Sequence, residues 1–396
     1  MDKFEPLHQL IRQRKQASLY RHPRIAASPQ APVRTMADGR PLLSFCSNDY
    51  LGLANHPELI RSFQEAASRW GVGSGAAHLV NGHTEAHQAL EEALAAFTGR
   101  ERALLFSTGY MANTGVISAL LKAGDQVFED KLNHASLLDG ATLSGARLLR
   151  FAHNNTAHLQ QRLATQAPDG DTTPCLLIAV DGVFSMDGDL APVQELATIA
   201  RTADAWLMVD DAHGFGVLGQ QGGGILELAG TTPEQVPILV GTLGKALGTA
   251  GAFVAGPAVL IDYLIQTARP WIYTTAQPAA VAAATLTSLQ LLERESWRRE
   301  RLQQLIRYFR QGAARLGLPL MNSETAIQPL PVGDSAWALH ISQQLEQAGI
   351  LVPAIRPPTV PPQTARLRIT LSAAHEEHQI DRLLEQLVKY HPAQTG

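Results

Sequence analysis

One lysine stands in the glycine-rich stretch GTLGKALGTAG, residues 241–251. Apolar runs flank it, VPILV before and AFVAG after. A cation carried between buried strands suits phosphate binding or covalent chemistry. The phosphate loop G-x-x-x-x-G-K-[ST] needs glycine where Leu239 stands and a hydroxyl where Ala246 stands, so that pattern fails twice. The remaining reading is a partly desolvated amine, available as a nucleophile toward an aldehyde. Small neighbours would let a flat cofactor lie against the backbone. Two other stretches offer complementary chemistry. In VDDAHGFGVLG (209–219) an apolar run ends in Asp210 and Asp211, with His213 close behind. Ligands of α/β sheets bind at such strand ends. In LLFSTGYMANTGV (104–116) a strand is expected to stop at Ser107 and a helix to start near Gly109. Free amides at a helix start favour an anion such as phosphate. A phosphate cup at Ser107, Gly109 and Tyr110, a carboxylate for a ring nitrogen and a lysine for an aldehyde together match the needs of pyridoxal 5'-phosphate.

The elements that must position these groups can be read from the alternation of patterns. Helical periodicity in PELIRSFQEAASRW and TEAHQALEEALAAF is followed by short apolar runs between helical ones: ALLFS, QVFED, RLLRF, CLLIAV, AWLMVD, PILVG and GAFVA. Such runs predict a mostly parallel sheet in an α/β fold. AQPAAVAAATLTSLQLL reads as a buried helix and ERESWRRERLQQLIRYFRQGAARLG as a long charged one. Residues 2–20 look like an amphipathic helix, and 25–41, with Pro29, Pro32 and Pro41, like a connecting arm. The expected organisation is a helix and arm at 1–45, a large cofactor-binding domain at 46–290 and a smaller α+β domain at 291–396, with the site between the last two.

Bulk properties narrow the class. Of 396 residues, 45% are hydrophobic and 17% charged, as in soluble globular proteins. A net charge of -4 argues against a nucleic-acid or anionic-membrane surface. Cys46 and Cys175 form no CxxC pair and suit a reducing compartment. The charged opening MDKFEPLHQLIRQRKQ has no apolar core of a signal peptide, so a cytoplasmic location is expected. GVGSGA (71–76) formally fits a dinucleotide fingerprint, but a helical pattern precedes it where a strand should be. His83 and His87 have helical i, i+4 spacing in the order HTEAH, not HExxH, and read as a loop and a helix-face histidine with no metal expected.

Seven motifs in order carry a resemblance over nearly the whole chain: SNDYLGL (47–53), GSG (73–75), LNHASLLDG (132–140), GVFSMDGD (182–189), VDDAHG (209–214), TLGKALG (242–248) and RLRITLSAAH (366–375). The chain resembles the α-oxoamine synthases, pyridoxal-phosphate enzymes of the aspartate-aminotransferase fold (fold type I). The resemblance implies that Lys245 is the Schiff-base lysine and the base at Cα. Asp210 would pair with the pyridine nitrogen, His213 with the ring's 3-oxygen, and His134 would stack on the ring. Gly109, Tyr110 and Thr242 would hold the phosphate, with Ser185 touching the cofactor. The family's site lies at a homodimer interface, so Thr275 is expected to reach the partner's phosphate. Arg368, beside Asn48, would anchor the amino acid's carboxylate. Arg21, Arg356 and Thr359 are candidates for the acyl substrate, and His134 also for its carbonyl oxygen.

The implied reaction is a decarboxylative condensation of an amino acid with an acyl thioester. The segment AIRPPTVPPQTARLRITLSAAH (354–375) favours L-alanine and a pimeloyl group carried on coenzyme A or an acyl carrier protein, a step of biotin biosynthesis. Alternatives are a related synthase using glycine or serine with another acyl thioester, an aminotransferase on the same fold, and, more distantly, a non-catalytic cofactor binder. The sequence departs from the family in three places. Asp181 replaces a common glutamate, His78 stands where an arginine is frequent, and Cys46 replaces a common serine.

Overall fold

The computed structural model describes residues 2–165 and 174–390. The chain divides into two compact units. The larger holds Leu51–Ser185 and Leu190–Arg299; the other holds Met1–Tyr50, Met186–Asp189 and Glu300–Gly396. The residues of the N-terminal helix and arm thus belong to the same unit as the C-terminal ones.

All seven apolar runs form one sheet in the larger unit. Its order is Arg102–Phe106, Ala252–Gly256, Ile238–Thr242, Trp206–Asp210, Leu176–Asp181, Gln126–Asp130, Arg147–Phe151. The last five are mutually parallel, and Ala252–Gly256 runs antiparallel to both its neighbours. Strands such as Leu176–Asp181 are buried at nearly every position, so their runs are continuously apolar rather than alternating. Helix Gly109–Leu120 joins this core through Ala112, Val116 and Ile117, against Phe106, Leu137 and Val254. Register brings the chemistry-bearing residues together. Asp181 pairs directly with Asp210, and Asp210 with Val240, two residues before Thr242. The C-terminal end of the sheet therefore carries Asp181 and Asp210 side by side, with Thr242 two residues further along the next strand.

Two helices support the lysine turn. Helix Ala279–Arg294 buries nine residues, among them Ala280, Thr285 and Leu292, and packs against helix Pro57–Trp70. Gly248 has φ +66, and a Cβ there would lie 2.4 Å from the Ala54 amide nitrogen, so only glycine lets the two backbones pass. GVGSGA follows helix Pro57–Trp70, not a strand, as the pattern indicated. Among the described residues no helix is long and apolar enough to cross a membrane.

The second unit holds two small sheets. Val33–Thr35 and Pro41–Ser44 form a hairpin, with Ile350–Leu351 parallel to the latter. Ala365–Thr370 lies between Ile327–Gly333 and Ala354–Ile355, antiparallel to both. The first helix spans only Glu5–Gln16 and buries no residue. It is shorter than the expected 2–20 because the chain turns at Ser18, φ +56. His375 ties this unit together. Its ring stacks on Phe45 at 4.5 Å, Nδ1 accepts the Ser372 amide at 2.9 Å, and Nε2 donates to the Ser44 carbonyl at 3.0 Å.

Burial pushes the His375 imidazole down to about 4, against the opposing hydrogen bond to Ser44. The folded state thus resists protonation while the unfolded chain accepts a proton near pH 6.5. Stability from this group is complete above pH 6.5 and falls as the pH drops toward 4. The loss amounts to roughly 3 kcal/mol at 1.36 kcal/mol per pKa unit. Thermal melts between pH 7 and 4.5 should show this slope in the native chain. His375→Gln should start less stable at pH 7 and lose less on acidification; an equal slope would remove His375 as its source.

Candidate active site

The lysine turn begins where strand Ile238–Thr242 ends. There Lys245 Nζ lies 2.9 Å from His213 Nε2. His213 belongs to the turn that follows strand Trp206–Asp210, so two neighbouring strand ends present the pair.

The two aspartates of VDDAHG have different surroundings. Asp210 is buried and accepts from the Ala212 amide at 3.0 Å and from Asn113 Nδ2 at 2.6 Å. Asp211 turns into the following loop and accepts the Ile225 amide at 2.8 Å. A Cβ at Gly224 would lie 1.7 Å from its carboxylate, so this loop is wrapped on the Asp211 side chain. Burial raises Asp211 well above the usual carboxylate range. Asp211 is bound into the loop, whereas Asp210 is held by Asn113 and the Ala212 amide.

Beside Asp210, Asp181 is fully buried, and this together with the neighbouring Asp210 charge raises it well above the usual range. Its Oδ2 accepts the His134 amide at 2.9 Å. Asn133 Oδ1 accepts the Asp181 amide at 3.1 Å and Asn133 Nδ2 donates to the Ala179 carbonyl at 2.8 Å. The Asp181 carboxylate thus reaches the backbone that carries His134.

His134 caps helix Ala135–Ser144. Its Nδ1 accepts the Ser136 amide at 3.3 Å and lies 2.7 Å from Ser136 Oγ. Desolvation lowers its affinity for a proton, with Asp210 opposing and Lys245 adding to the effect. The Tyr110 ring stands edge-on to it at 6.5 Å. Tyr110 hydroxyl donates to Asp139 Oδ2.

Helix Gly109–Leu120 starts as the sequence indicated. Thr108 Oγ1 accepts the Met111 amide and the Thr108 carbonyl accepts that of Ala112. The remaining first-turn donors are Gly109 and Tyr110, the pair expected to face an anion. Open space surrounds the Gly109 Cα. Thr242 Oγ1 donates to the Gly251 carbonyl at 3.1 Å, and Ser185 is half-buried in the turn after strand Leu176–Asp181. Thr275 is exposed, in the connection ahead of helix Ala279–Arg294.

The donor set fits pyridoxal phosphate on its chemistry. An amine with a basic neighbour suits an aldehyde. A buried carboxylate held by two donors suits a protonated ring nitrogen. Uncapped amides at a helix start suit a phosphate.

The other predicted residues lie in the second unit, in two groups. Both terminal nitrogens of Arg368 lie 3.3 Å from Asn48 Oδ1, and Arg368 Nη1 also donates to Thr370 Oγ1 at 3.0 Å. Tyr50, pushed up to about 12 by burial with Arg368 opposing, donates to the same Asn48 oxygen. Arg21 donates to Thr359 Oγ1 at 3.1 Å, and Arg356 donates to the Ser18 carbonyl. Burial, then repulsion from Arg21, lowers Arg356. The histidine group ends in internal bonds: His78 Nδ1 lies 2.9 Å from His83 Nδ1, and His87 bonds Thr84 and the Gln277 carbonyl. Sequence reasoning missed Asn113 and Ser136. Their only signal was position, Asn113 one helical turn after Gly109 and Ser136 two residues after His134.

Residues 40–387 match the family model for aminotransferase class I and II. Over 382 residues, 96% of each chain, the sequence is 60% identical to the 8-amino-7-oxononanoate synthase of Pseudomonas putida strain W619. The structure is similar to a serine palmitoyltransferase from S. paucimobilis with a bound PLP–myriocin aldimine, at TM-score 0.91 and 31% identity over 99% of this chain and 98% of that one. It is also similar to the 8-amino-7-oxononanoate synthase of Francisella tularensis, at TM-score 0.76 and 33% identity over 88% and 97%.

The Asp181 surroundings give a sign that can be measured. An acid whose folded pKa is raised opposes folding above its unfolded pKa, increasingly up to the folded one. Asp181→Asn keeps an acceptor for the His134 amide and removes the ionisable group. Its melting temperature at pH 8 should equal or exceed that of the native chain, within about 1 kcal/mol. A loss above about 3 kcal/mol would mean Asp181 acts as a paired carboxylate.

Proposed function

The chain belongs to the aminotransferase class I and II family, and on that premise we propose that it condenses L-alanine with a pimeloyl thioester, releasing carbon dioxide and the free thiol and forming 8-amino-7-oxononanoate. The observation that carries this reading is 60% identity across 96% of the chain to enzymes named for that product. Its cofactor is pyridoxal 5'-phosphate. When bound, the cofactor's protonated ring supplies the sink for the electron pair left at the amino acid's Cα.

The chain's own groups divide the remaining work. Lys245 would hold the cofactor by its aldehyde and serve as the base for the Cα proton. His213, 2.9 Å from that amine, would bond the ring's 3-oxygen. Asp210, with Asn113 and the Ala212 amide on its oxygens, keeps a negative charge opposite the pyridine nitrogen. The Gly109 and Tyr110 amides and Thr242 receive the phosphate, with Ser185 beside the cofactor. Arg368, steadied by Asn48 and Thr370, takes the amino acid's carboxylate. Arg21 and Arg356, with Thr359, receive the acyl donor. The overall change would join Cα of the amino acid to the thioester's carbonyl carbon, release the thiol and the amino acid's carboxyl group as carbon dioxide, and return one proton to Cα. On the same reading the working form is a homodimer with shared sites, in which Thr275, exposed in this chain, would reach the phosphate of a second copy.

The test is a product assay. Protein loaded with pyridoxal phosphate is mixed with pimeloyl-CoA or a pimeloyl carrier protein and, separately, with alanine, glycine or serine. Mass spectrometry should find the decarboxylated adduct with alanine. Lys245→Ala should lower turnover by about 10^4-fold or more. Adducts only with glycine or serine would reassign the substrate. Amino-group exchange with keto acids and no adduct would make the chain an aminotransferase.

A further inference from the structure

Asn113 serves above only as a donor to Asp210, yet it is buried and reaches further. Its side-chain nitrogen makes two contacts, to Asp210 Oδ2 at 2.6 Å and to Ser136 Oγ at 2.9 Å. A carboxylate accepts and does not donate, so the Asp210 contact fixes which end of the amide is nitrogen. The second amide proton then points to Ser136 Oγ. That hydroxyl lies 2.7 Å from His134 Nδ1, and because the Ser136 backbone amide makes this nitrogen an acceptor, the hydroxyl donates to it. The Ser136 amide aims at the same nitrogen from 3.3 Å. A ring nitrogen facing two donors carries no proton. The Asn113 side-chain oxygen is buried without a partner among the described residues, so this amide acts in the fold as a donor at both its protons.

We propose that Asn113 is a positioning residue that, through Ser136, locks His134 as the neutral tautomer with its proton on Nε2. The donor chain runs Asp210 ← Asn113 → Ser136 → His134, so one amide orients both the carboxylate and the imidazole. Burial of the His134 ring also disfavours a second proton. The consequence is a division of labour, and it rests on the function proposed above. Nε2–H is a hydrogen-bond donor and not a base, so His134 stabilises negative charge developing on the acyl oxygen and leaves the Cα proton to Lys245. Losing Asn113 would release Ser136 to reorient and let the proton move to Nδ1, turning Nε2 into an acceptor that repels the same oxygen.

The experiment reads the tautomer directly. Protein free of cofactor is labelled with nitrogen-15 histidine, and His134 is assigned by the signals lost in His134→Gln. In the native chain Nδ1 should show the shift of an unprotonated nitrogen and Nε2 that of a protonated one. In Asn113→Leu and in Ser136→Ala the two shifts should converge as the tautomers mix. With cofactor and substrates, both variants should lose kcat tenfold or more while KM for the amino acid changes less than threefold. Asn113→Leu should also move the pH midpoint of the bound cofactor's absorbance, because Asp210 loses a donor; Ser136→Ala should not. A protonated Nδ1 in the native chain, or unchanged His134 shifts in both variants, would overturn the proposal. If Asn113→Leu does not fold, Ser136→Ala decides the tautomer. The nitrogen shifts need no substrate, so a wrong acyl donor or amino acid leaves this result standing.

Discussion

A charge at the end of a buried parallel strand is stable only if donors meet it, and Asp210 meets that condition through Asn113 and the Ala212 amide. Much of the site follows from this contact. Asn113 comes from the second turn of helix Gly109–Leu120, the helix whose first turn leaves Gly109 and Tyr110 uncapped. Placing that helix so that Asn113 reaches Asp210 fixes where its N-terminus lies. The same amide reaches Ser136 and thereby the helix that His134 caps. The packing of Val116 and Ile117 into the sheet core holds the arrangement, because rotating the helix would expose them and withdraw the amide together.

Three buried aspartates lie close together, and the fold keeps them from repelling one another by giving them different partners. Asp181 sits directly across the register from Asp210, where two full charges would be costly. Burial and the Asp210 charge both favour its neutral form, which still accepts the His134 amide. Asp211, next in sequence, faces the other way and organises the loop through the Ile225 amide. The three carboxylates are thus anchored to different groups: Asp181 to the His134 amide, Asp211 to the Ile225 amide, and Asp210 to Asn113 and the Ala212 amide.

Much of this was readable from residue order. Continuous apolar runs marked all seven central strands, since strands covered on both faces need no polar alternation. The strand-end aspartate, the helix start at Gly109 and the lysine turn were legible because glycines and chain reversals mark them. The antiparallel Ala252–Gly256 was not legible, as a buried strand's composition does not record its direction. Nor were the partners of Asp210 and His134. Asn113 sits inside an apolar helix, where a polar side chain reads as an isolated exception until the element it faces is known. The first helix ended earlier than its periodicity indicated because Ser18 adopts a left-handed conformation that pattern alone does not reveal.

The lysine turn illustrates why the site needs both kinds of information. Its glycines look like room for a cofactor, yet Gly248 serves another end, letting the backbone of Leu53 and Ala54 pass within contact of the turn. Gly241 lies against the Phe253 ring and keeps two strands in register. Of the stretch that first drew notice, Gly244 has only ordinary contacts around it, at 3.6 Å or more. Of the turn's glycines, then, Gly244 leaves room for a Cβ, while Gly241, Gly248 and Gly251 meet close neighbours that a Cβ would strike. The lysine's surroundings come from position: His213 stands 2.9 Å from its amine because both follow the C-terminal ends of adjacent parallel strands.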